Sequence, residues 1–151
     1  RKLATWVAPR SIDAIVTSPP YAGTYDYMDH QALRTAFLRL GAWQTREMGS
    51  RESFRSDPRR AAFRWRKDFH SVMTQMAAVL KPKGRLVLLM GDSLAGGRAL
   101  YADRFTEEIA GQVGFRFVAA AAQGRLKLGA REQEAFGPLG KREHLLWFQR
   151  G

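Results

Sequence analysis

A strand that runs into two successive prolines constrains this chain most. Residues 12–18 alternate loosely between strand formers, and the chain continues as Pro19-Pro20-Tyr21. Each proline fixes its own φ and removes a backbone donor, so the chain must leave the sheet in a rigid, extended form. Ligands of open α/β sheets bind at the carboxyl ends of strands. A hydroxyl (Ser18), a carbonyl (Pro19) and an aromatic ring (Tyr21) held there suit a flat, amino-bearing ring such as a nucleobase.

Apolar residues at helical spacing predict helices in three parts of the chain. They cover about residues 28–40, 59–80 and 102–113. Each is followed by a sequence that stops helices, namely Gly41, Lys81-Pro82-Lys83-Gly84 and Gly114. Residues 44–62 are polar and aperiodic, with Pro58 interrupting them, and we expect an exposed loop or a partly helical insert there.

Further apolar runs predict strands at residues 85–90, 115–122 and 143–149. The run at 85–90 is nearly continuous, which is typical of a strand buried on both faces of a parallel sheet. Residues 91–99 read as a glycine-rich loop and residues 124–140 as a polar connection. The order β-α-α-β-α-β-β predicts an α/β domain with a parallel sheet, helices on its faces, and a last strand pair that is antiparallel.

The charge of the chain favours a polyanionic partner. Its 151 residues carry 25 Lys and Arg against 14 Asp and Glu, a net charge of +11. Nucleic acid is the usual partner of so basic a protein, although an arginine-rich composition also follows from a GC-rich genome.

Arginines interleaved with aromatic residues concentrate this charge in one segment. Its members are Arg46, Arg51, Arg55, Arg59, Arg60, Arg64, Arg66 and Lys67, with Phe54, Phe63 and Trp65 between them. Bidentate arginine contacts to phosphate position a duplex without reading its sequence. We predict such contacts from Arg51, Arg59 and Arg60, and a solvated helix face is the alternative. A second cluster gives weaker evidence of the same kind, at Arg125, Lys127, Arg131, Lys141 and Arg142.

Several classes of protein are excluded or disfavoured by what the sequence lacks. The chain has no cysteine, which excludes disulfides, thiolate nucleophiles and cysteine-based zinc sites. His30, His70 and His144 are scattered without partners at ligand spacing, so no metal site is expected. No apolar run approaches the roughly 20 residues of a membrane span. A soluble, cytoplasmic protein is the default expectation.

Thr17-Ser18-Pro19-Pro20-Tyr21 resembles the catalytic motif of amino-group methyltransferases, which use S-adenosylmethionine to methylate exocyclic nitrogens of bases. Further segments are similar in order and spacing to the DNA N4-cytosine/N6-adenine methylase family, including relatives that act on RNA. They are Tyr25-Asp26-Tyr27, Glu47-Met48-Gly49-Ser50-Arg51, residues 80–89, Gly91-Asp92-Ser93 and residues 142–148. The resemblance covers nearly the whole chain, and its Pro-Pro-Tyr core is the most specific part.

The resemblance implies S-adenosylmethionine as cofactor and a base in DNA as substrate. An exocyclic amine is a poor nucleophile because its lone pair is delocalised into the ring, and two acceptors that bind its hydrogens make the nitrogen more tetrahedral. Ser18 and Pro19 would be these acceptors, and Tyr21 would stack on the base after it leaves the duplex. Pro20 completes the catalytic set. Ser18 and Asp92 would contact the cofactor, and Tyr25 the substrate.

Other outcomes stay open on the sequence alone. In the family a serine at position 18 leans toward cytosine N4, with adenine N6 and guanine amines as other targets. Asp92 could instead accept hydrogen bonds from its own turn. One of Tyr25 and Tyr27 would pack on the next helix while the other lines the base pocket. The alternatives to a DNA enzyme are an RNA base methyltransferase and a non-catalytic remnant that binds nucleic acid.

No G-x-G-x-x-G loop follows an early strand, and about eleven residues precede the strand at 12–18. The chain therefore looks like the C-terminal part of a Rossmann-like class I methyltransferase fold, without the first strands and the glycine-rich cofactor loop. Residues 1–151 would form a single, partial catalytic domain. Its first strand would be an uncovered sheet edge, completed by a missing N-terminal segment or by a second copy in a homodimer.

Overall fold

Strands and long helices alternate along this chain, as the sequence predicts. The computed structural model describes residues 3–39, 47–125 and 128–151. The strands are β1 (Ile12–Thr17), β2 (Leu80–Gly91), β3 (Ser93–Ala95), β4 (Arg98–Leu100), β5 (Phe115–Gly124) and β6 (Arg142–Arg150). The helices are α1 (Tyr27–Phe37), α2 (Arg51–Ser56), α3 (Pro58–Val79), α4 (Ala102–Gln112) and α5 (Ala130–Phe136). Short 3₁₀ helices cover Leu3–Thr5 and Gly137–Leu139.

The main sheet of the described residues is mixed and has the strand order β1-β2-β6-β5. Strand β1 runs parallel to β2, with Ile15 opposite Leu86. Strand β6 runs antiparallel to both of its neighbours, β2 and β5. The predicted antiparallel pairing of the last two strands is therefore confirmed. The sheet as a whole is less parallel than expected, because β6 inserts between β2 and β5.

Helices α3 and α4 cover one face of this sheet and form the core with it. Trp65 stacks on Phe69 with ring centroids 5.1 Å apart, and the ring of Phe105 meets Trp65 edge-on at 4.8 Å. From the sheet, Leu86 and Leu88 reach into the same core. The crossovers from β1 to β2 and from β2 to β5 move in the same direction across the sheet. Connections of the usual right hand then place both helices on the same face.

The opposite face of the sheet is open in the part of the chain that the structure describes. Val16 is 76% exposed there, and Leu89, Leu145 and Trp147 are exposed as well. The prediction that residues 85–90 are buried on both faces is therefore wrong. Side chains of β2 alternate between core and surface. A continuous apolar run does not predict this, because it lacks the alternation of polar and apolar residues that marks a strand with one exposed face.

Several element boundaries differ from the predictions for local reasons. Asp57 caps α3 by accepting a hydrogen bond from the Arg60 N–H, and the helix ends at Val79 rather than at residue 80. Leu80 already pairs with Ile12, so the sequence expected to be only a turn belongs to β2.

The segments read as connections also contain regular structure. The loop at 91–99 contains the β3–β4 hairpin, the connection at 124–140 contains α5, and the insert at 44–62 contains α2. The predicted helix stop at Gly41, together with Arg46 and Lys127, lies outside the described residues. None of the described helices is long and apolar enough to cross a membrane.

Candidate active site at the end of strand β1

The Ser-Pro-Pro-Tyr segment leaves the sheet directly after β1 and is anchored to the hydrophobic core. Ser18 is exposed, whereas Pro19 is buried. The Pro20 carbonyl accepts a hydrogen bond of 3.1 Å from the indole N–H of Trp65. The predicted rigidity therefore has two sources, the fixed φ angles of the prolines and an anchor on the buried face of α3.

The Tyr21 ring lies against Gly91, the last residue of β2. A Cβ atom at Gly91 would stand 2.7 Å from Cε2 of Tyr21 and 2.9 Å from its Cδ2, which is too close for any side chain. A Cβ at Gly49 would likewise stand 2.7 Å from the Tyr21 carbonyl oxygen, and Gly49 has a φ of +77° that favours glycine. Two glycines distant in sequence thus make room for one tyrosine.

A chain of hydrogen bonds links the motif to strand β6. The Ser18 hydroxyl donates to the Tyr21 hydroxyl at 3.3 Å, and the Tyr21 hydroxyl donates to Oε1 of Glu143 at 3.0 Å. Burial raises the pKa of Tyr21 above its ordinary value of 10.0; the Ser18 hydrogen bond opposes this and Glu143 adds to it. Tyr21 is therefore a neutral donor at neutral pH.

Sequence reasoning did not single out Glu143, although it lies within one of the segments that carry the family resemblance. Glu143 and Gly91 are paired residues of the antiparallel β2–β6 ladder, and this register brings the carboxylate beside the Tyr21 ring. Only the register could reveal this, because Tyr21 and Glu143 are 122 positions apart.

Asp92 is placed in the interior rather than at the site surface, with 2% of its area exposed. Its Oδ1 accepts hydrogen bonds from the Ala102 N–H at 2.7 Å and lies 3.0 Å from Nε2 of His144. Its Oδ2 accepts from the Arg142 N–H at 2.9 Å. These contacts join the ends of β2, α4 and β6. They favour a structural role over the predicted cofactor contact, which stays a prediction, and they do not come from its own turn.

Asp92 and His144 also belong to a group of possible metal ligands. In the described ranges, single ligand atoms of Asp92, Asp103 and His144 lie within 4.8 Å of one another. Asp92 and His144 already face each other, and backbone N–H groups bind both oxygens of Asp92. Hydrogen bonding therefore accounts for the close approach of Asp92 and His144.

The predicted substrate residues occupy two different environments. Tyr25 is 41% exposed, and its ring contacts those of Tyr27 at 5.6 Å and His30 at 6.4 Å between centroids. Arg51 directs its Nε and Nη2 atoms to the Thr24 carbonyl oxygen at 3.1 and 2.5 Å. Its guanidinium thus holds the loop that carries Tyr25.

The arginine-rich segment divides into a core side and a surface side. Phe54 and Trp65 are buried, whereas Phe63 is 71% exposed. Arg59 and Arg60 are exposed in the first turn of α3. These two arginines and Phe63 are called the α3 basic surface below. Elsewhere on α3, Arg66 forms an ion pair with Glu108 of α4.

A cavity of about 530 Å³ lies beside the motif, between the start of α1, α2 and α3. Carboxylates are prominent among its lining residues, namely Asp26, Asp29, Glu47, Glu52 and Asp68. Burial acts to raise the pKa of Asp26, but hydrogen bonds from the Glu52 N–H and the Ser50 hydroxyl outweigh it and lower that pKa below 3.8. Glu47 similarly accepts from the N–H groups of Tyr27 and Met28. Two of these acids thus serve as helix caps.

Neither a protein-family model nor a curated protein sequence matches this chain. Solved structures do match. A Thermus thermophilus protein assigned as a DNA modification methylase gives a TM-score of 0.53 at 19% identity, over 98% of this chain and 50% of that one. PvuII DNA methyltransferase, which is cytosine-N4-specific, gives 0.56 at 17% identity, over 99% of this chain and 46% of that one. The Thermus protein has also been solved in complex with S-adenosyl-L-methionine.

These similarities establish the class of fold. The chain has the mixed α/β fold found in DNA methyltransferases, with the proline motif at the end of its first strand. It spans about half the length of the structures that it matches. The Rossmann-like methyltransferase fold expected from the sequence is therefore confirmed as a fold, while its interpretation as the C-terminal part of a catalytic domain stays a prediction.

Proposed function

We propose that this chain belongs to an S-adenosylmethionine-dependent methyltransferase that modifies an exocyclic amino group of a DNA base, either cytosine N4 or adenine N6. One observation carries the proposal. At the carboxyl end of β1, the exposed Ser18 hydroxyl directs its proton inward to Tyr21, and the prolines and Trp65 hold the segment rigid. The methyltransferase fold of the chain supports the same conclusion.

The target amine would be held by two acceptors of the motif. The Ser18 oxygen keeps its lone pairs for the amine because its proton is engaged with Tyr21. The Pro20 carbonyl is already bound to Trp65, so the Pro19 carbonyl is the motif's second acceptor. Binding both amine hydrogens would localise the nitrogen lone pair and place it for in-line transfer. Tyr21 would stack on the flipped base.

S-adenosylmethionine would supply the methyl group from its sulfonium, and the Thermus protein of similar fold binds this cofactor. The described residues fit the acceptor side of that reaction. Gly96 and Gly97 form the turn of the β3–β4 hairpin, and Gly96 packs beside Pro58, so this glycine pair does not make a cofactor loop. Of the predicted cofactor contacts, Ser18 is the one that lies exposed at the site.

We further propose that DNA lies along the α3 basic surface, with Arg59 and Arg60 on its phosphates and Tyr25 beside the extruded base. Arg51 would act mainly by holding the Tyr25 loop, given its contact with the Thr24 carbonyl oxygen. The open face of the sheet and the edge of β1 would be covered by a complementing N-terminal segment or by a second copy of the chain.

The test is transfer of tritium from S-adenosyl-[methyl-³H]methionine to duplex DNA, followed by analysis of the modified nucleoside. Calorimetric titration of S-adenosylmethionine into the same sample measures cofactor affinity. We expect Ser18→Ala and Tyr21→Ala to abolish transfer while cofactor affinity is largely kept. Ser71→Ala, an exposed serine of α3, is the matched control.

Distinct results would contradict distinct parts of this proposal. Transfer to RNA and not to DNA would replace the substrate. Tight, salt-sensitive DNA binding without any transfer from a sample that binds S-adenosylmethionine would indicate a non-catalytic protein. Loss of cofactor affinity in Ser18→Ala with unchanged turnover per bound cofactor would overturn the assignment of the motif to the amine.

A further inference from the structure

We infer that Glu143 is a positioning residue of the proposed active site, and that it acts through Tyr21 to set the Ser18 hydroxyl as a hydrogen-bond acceptor for the target amine. The inference rests on the proposed function. The inference goes beyond that function by assigning a role to a residue on β6 that lies outside the proline motif.

The direction of the hydrogen bonds follows from the chemistry of each group. A carboxylate can only accept, so the Tyr21 hydroxyl donates its single proton to Glu143 at 3.0 Å. The Tyr21 oxygen then has only lone pairs left, and it accepts the single proton of Ser18 at 3.3 Å. The Ser18 oxygen is left with lone pairs alone on its exposed side. One carboxylate thus orients two hydroxyl groups.

This direction is the one that an exocyclic amine requires. The amine offers two N–H donors, and its nitrogen lone pair must stay free to form the new bond. A Ser18 hydroxyl that pointed its proton outward would donate a hydrogen bond to that lone pair and so lower the nucleophilicity of the amine. Because Glu143 draws both protons inward, the serine meets the amine as an acceptor.

The backbone is arranged so that Glu143 can reach Tyr21. Glu143 stands opposite Gly91 in the β2–β6 ladder, and the Tyr21 ring crosses β2 over Gly91, where a Cβ would stand 2.7 Å from the ring. Glu143 itself is partly buried. A partly buried carboxylate beside a tyrosine hydroxyl makes a charge-assisted hydrogen bond, which is stronger than a neutral one.

The variant that tests the inference is Glu143→Gln. The amide keeps the shape of the side chain, but its NH₂ group can donate to Tyr21 and so release the Tyr21 and Ser18 protons to turn outward. We expect kcat to fall about tenfold or more while KM for DNA and the affinity for S-adenosylmethionine stay unchanged. Glu107→Gln, an exposed glutamate of α4, is the matched control and should leave kcat unchanged.

Tyr21→Phe is the second variant, and it serves equally if Glu143→Gln does not fold. It keeps the ring over Gly91 and removes the link between Ser18 and Glu143. We expect a loss in kcat similar to that of Glu143→Gln. The double variant should lose no more than either single one, because both changes break the same chain of hydrogen bonds.

A readout independent of methyl transfer comes from ¹³C NMR of tyrosine labelled at Cζ. Since Glu143 acts to raise the pKa of Tyr21, the Tyr21 signal should titrate at lower pH in Glu143→Gln. If that pKa does not move, or if kcat is unchanged in an active protein, the inference is overturned and the proposed function stands. If a wild-type sample that binds S-adenosylmethionine transfers no methyl group to DNA or RNA, the proposed function and the positioning role are both overturned, even where the pKa moves.

Discussion

The indole N–H of Trp65 donates to the Pro20 carbonyl at 3.1 Å, and this bond ties the proline motif to the centre of the core. Trp65 is 3% exposed and packs against both Phe69 and Phe105. The prolines make the segment stiff, but stiffness does not determine its direction. The direction comes from a helix more than forty residues away in sequence.

Trp65→Phe should therefore destabilise the chain and loosen the motif together. The change leaves the Pro20 carbonyl without its partner and opens a small cavity, and we expect a loss of roughly 2–4 kcal/mol in the free energy of unfolding. Urea denaturation measures it. Phe63→Ala, an exposed aromatic on the same helix, should change stability by less than about 0.5 kcal/mol. Equal losses in the two variants would contradict the anchoring role.

Gly91→Ala should displace Tyr21. The new methyl group would stand 2.7 Å from the ring, and the ring must move to admit it, so we expect a loss of about 1–3 kcal/mol and a changed Cζ signal of Tyr21 in the ¹³C spectrum. Gly124→Ala is the control, since no atom lies within 4 Å of the position its Cβ would take. An unshifted Tyr21 signal in Gly91→Ala would show that the ring does not lie on Gly91.

Asp92→Asn should cost stability whether or not any cofactor is present. The two carboxylate oxygens of Asp92 together bind the N–H groups of Ala102 and Arg142 and the ring of His144. An asparagine has only one acceptor oxygen for these partners, so we expect a loss of about 2–4 kcal/mol in the free energy of unfolding. Asp13→Asn, at an exposed ion pair with Lys81, should change stability by less than about 1 kcal/mol. A stable Asp92→Asn protein with weakened cofactor affinity would instead support the predicted cofactor contact.

The pair Glu132–Lys141 should give the folded state part of its acid sensitivity. Its hydrogen bond of 2.6 Å lowers the pKa of Glu132 below 4.5, with burial opposing the shift. A lowered carboxyl pKa contributes stability that is present above that ordinary value and is lost as the pH falls through the folded-state pKa. The melting temperature, measured at a series of acid pH values, should therefore fall less steeply with decreasing pH in Glu132→Gln than in wild type. Parallel curves would contradict this.

The α3 basic surface should account for part of the DNA affinity. Replacing Arg59 and Arg60 together by glutamine should weaken binding of duplex DNA of any sequence. It should also reduce the slope of log K against log salt by about 2, because each phosphate contact contributes about 0.9. Fluorescence anisotropy across a salt series measures both effects. The control for lost charge is Arg116→Gln on β5, made alone and then together with Arg85→Gln on β2, because both arginines are exposed and lie outside the two basic clusters. An equal change of slope in that double control would show that net charge alone is responsible.

The elements of this fold were predictable because their signals are local. Two prolines after an apolar run end a strand wherever they occur, and the spacing of Trp65 and Phe69 predicts a helix from neighbouring residues alone. The same holds for the antiparallel end of the sheet, since the sequence between β5 and β6 shows no long amphipathic pattern, and the helix found there, α5, has only seven residues. The family resemblance depends on motifs of this local kind.

What only the tertiary structure decided concerns residues that meet across the sheet. The β2–β6 register brings Glu143 to Tyr21 and the end of β6 to Asp92, and no local pattern encodes a register between strands that lie fifty residues apart. The sequence did not predict the open face of the sheet either, because that face depends on the side of the sheet on which two crossovers place their helices. The amino-acid sequence by itself determined the strand, the proline corner and the serine at its tip; the packing of distant strands determined where that serine's proton points.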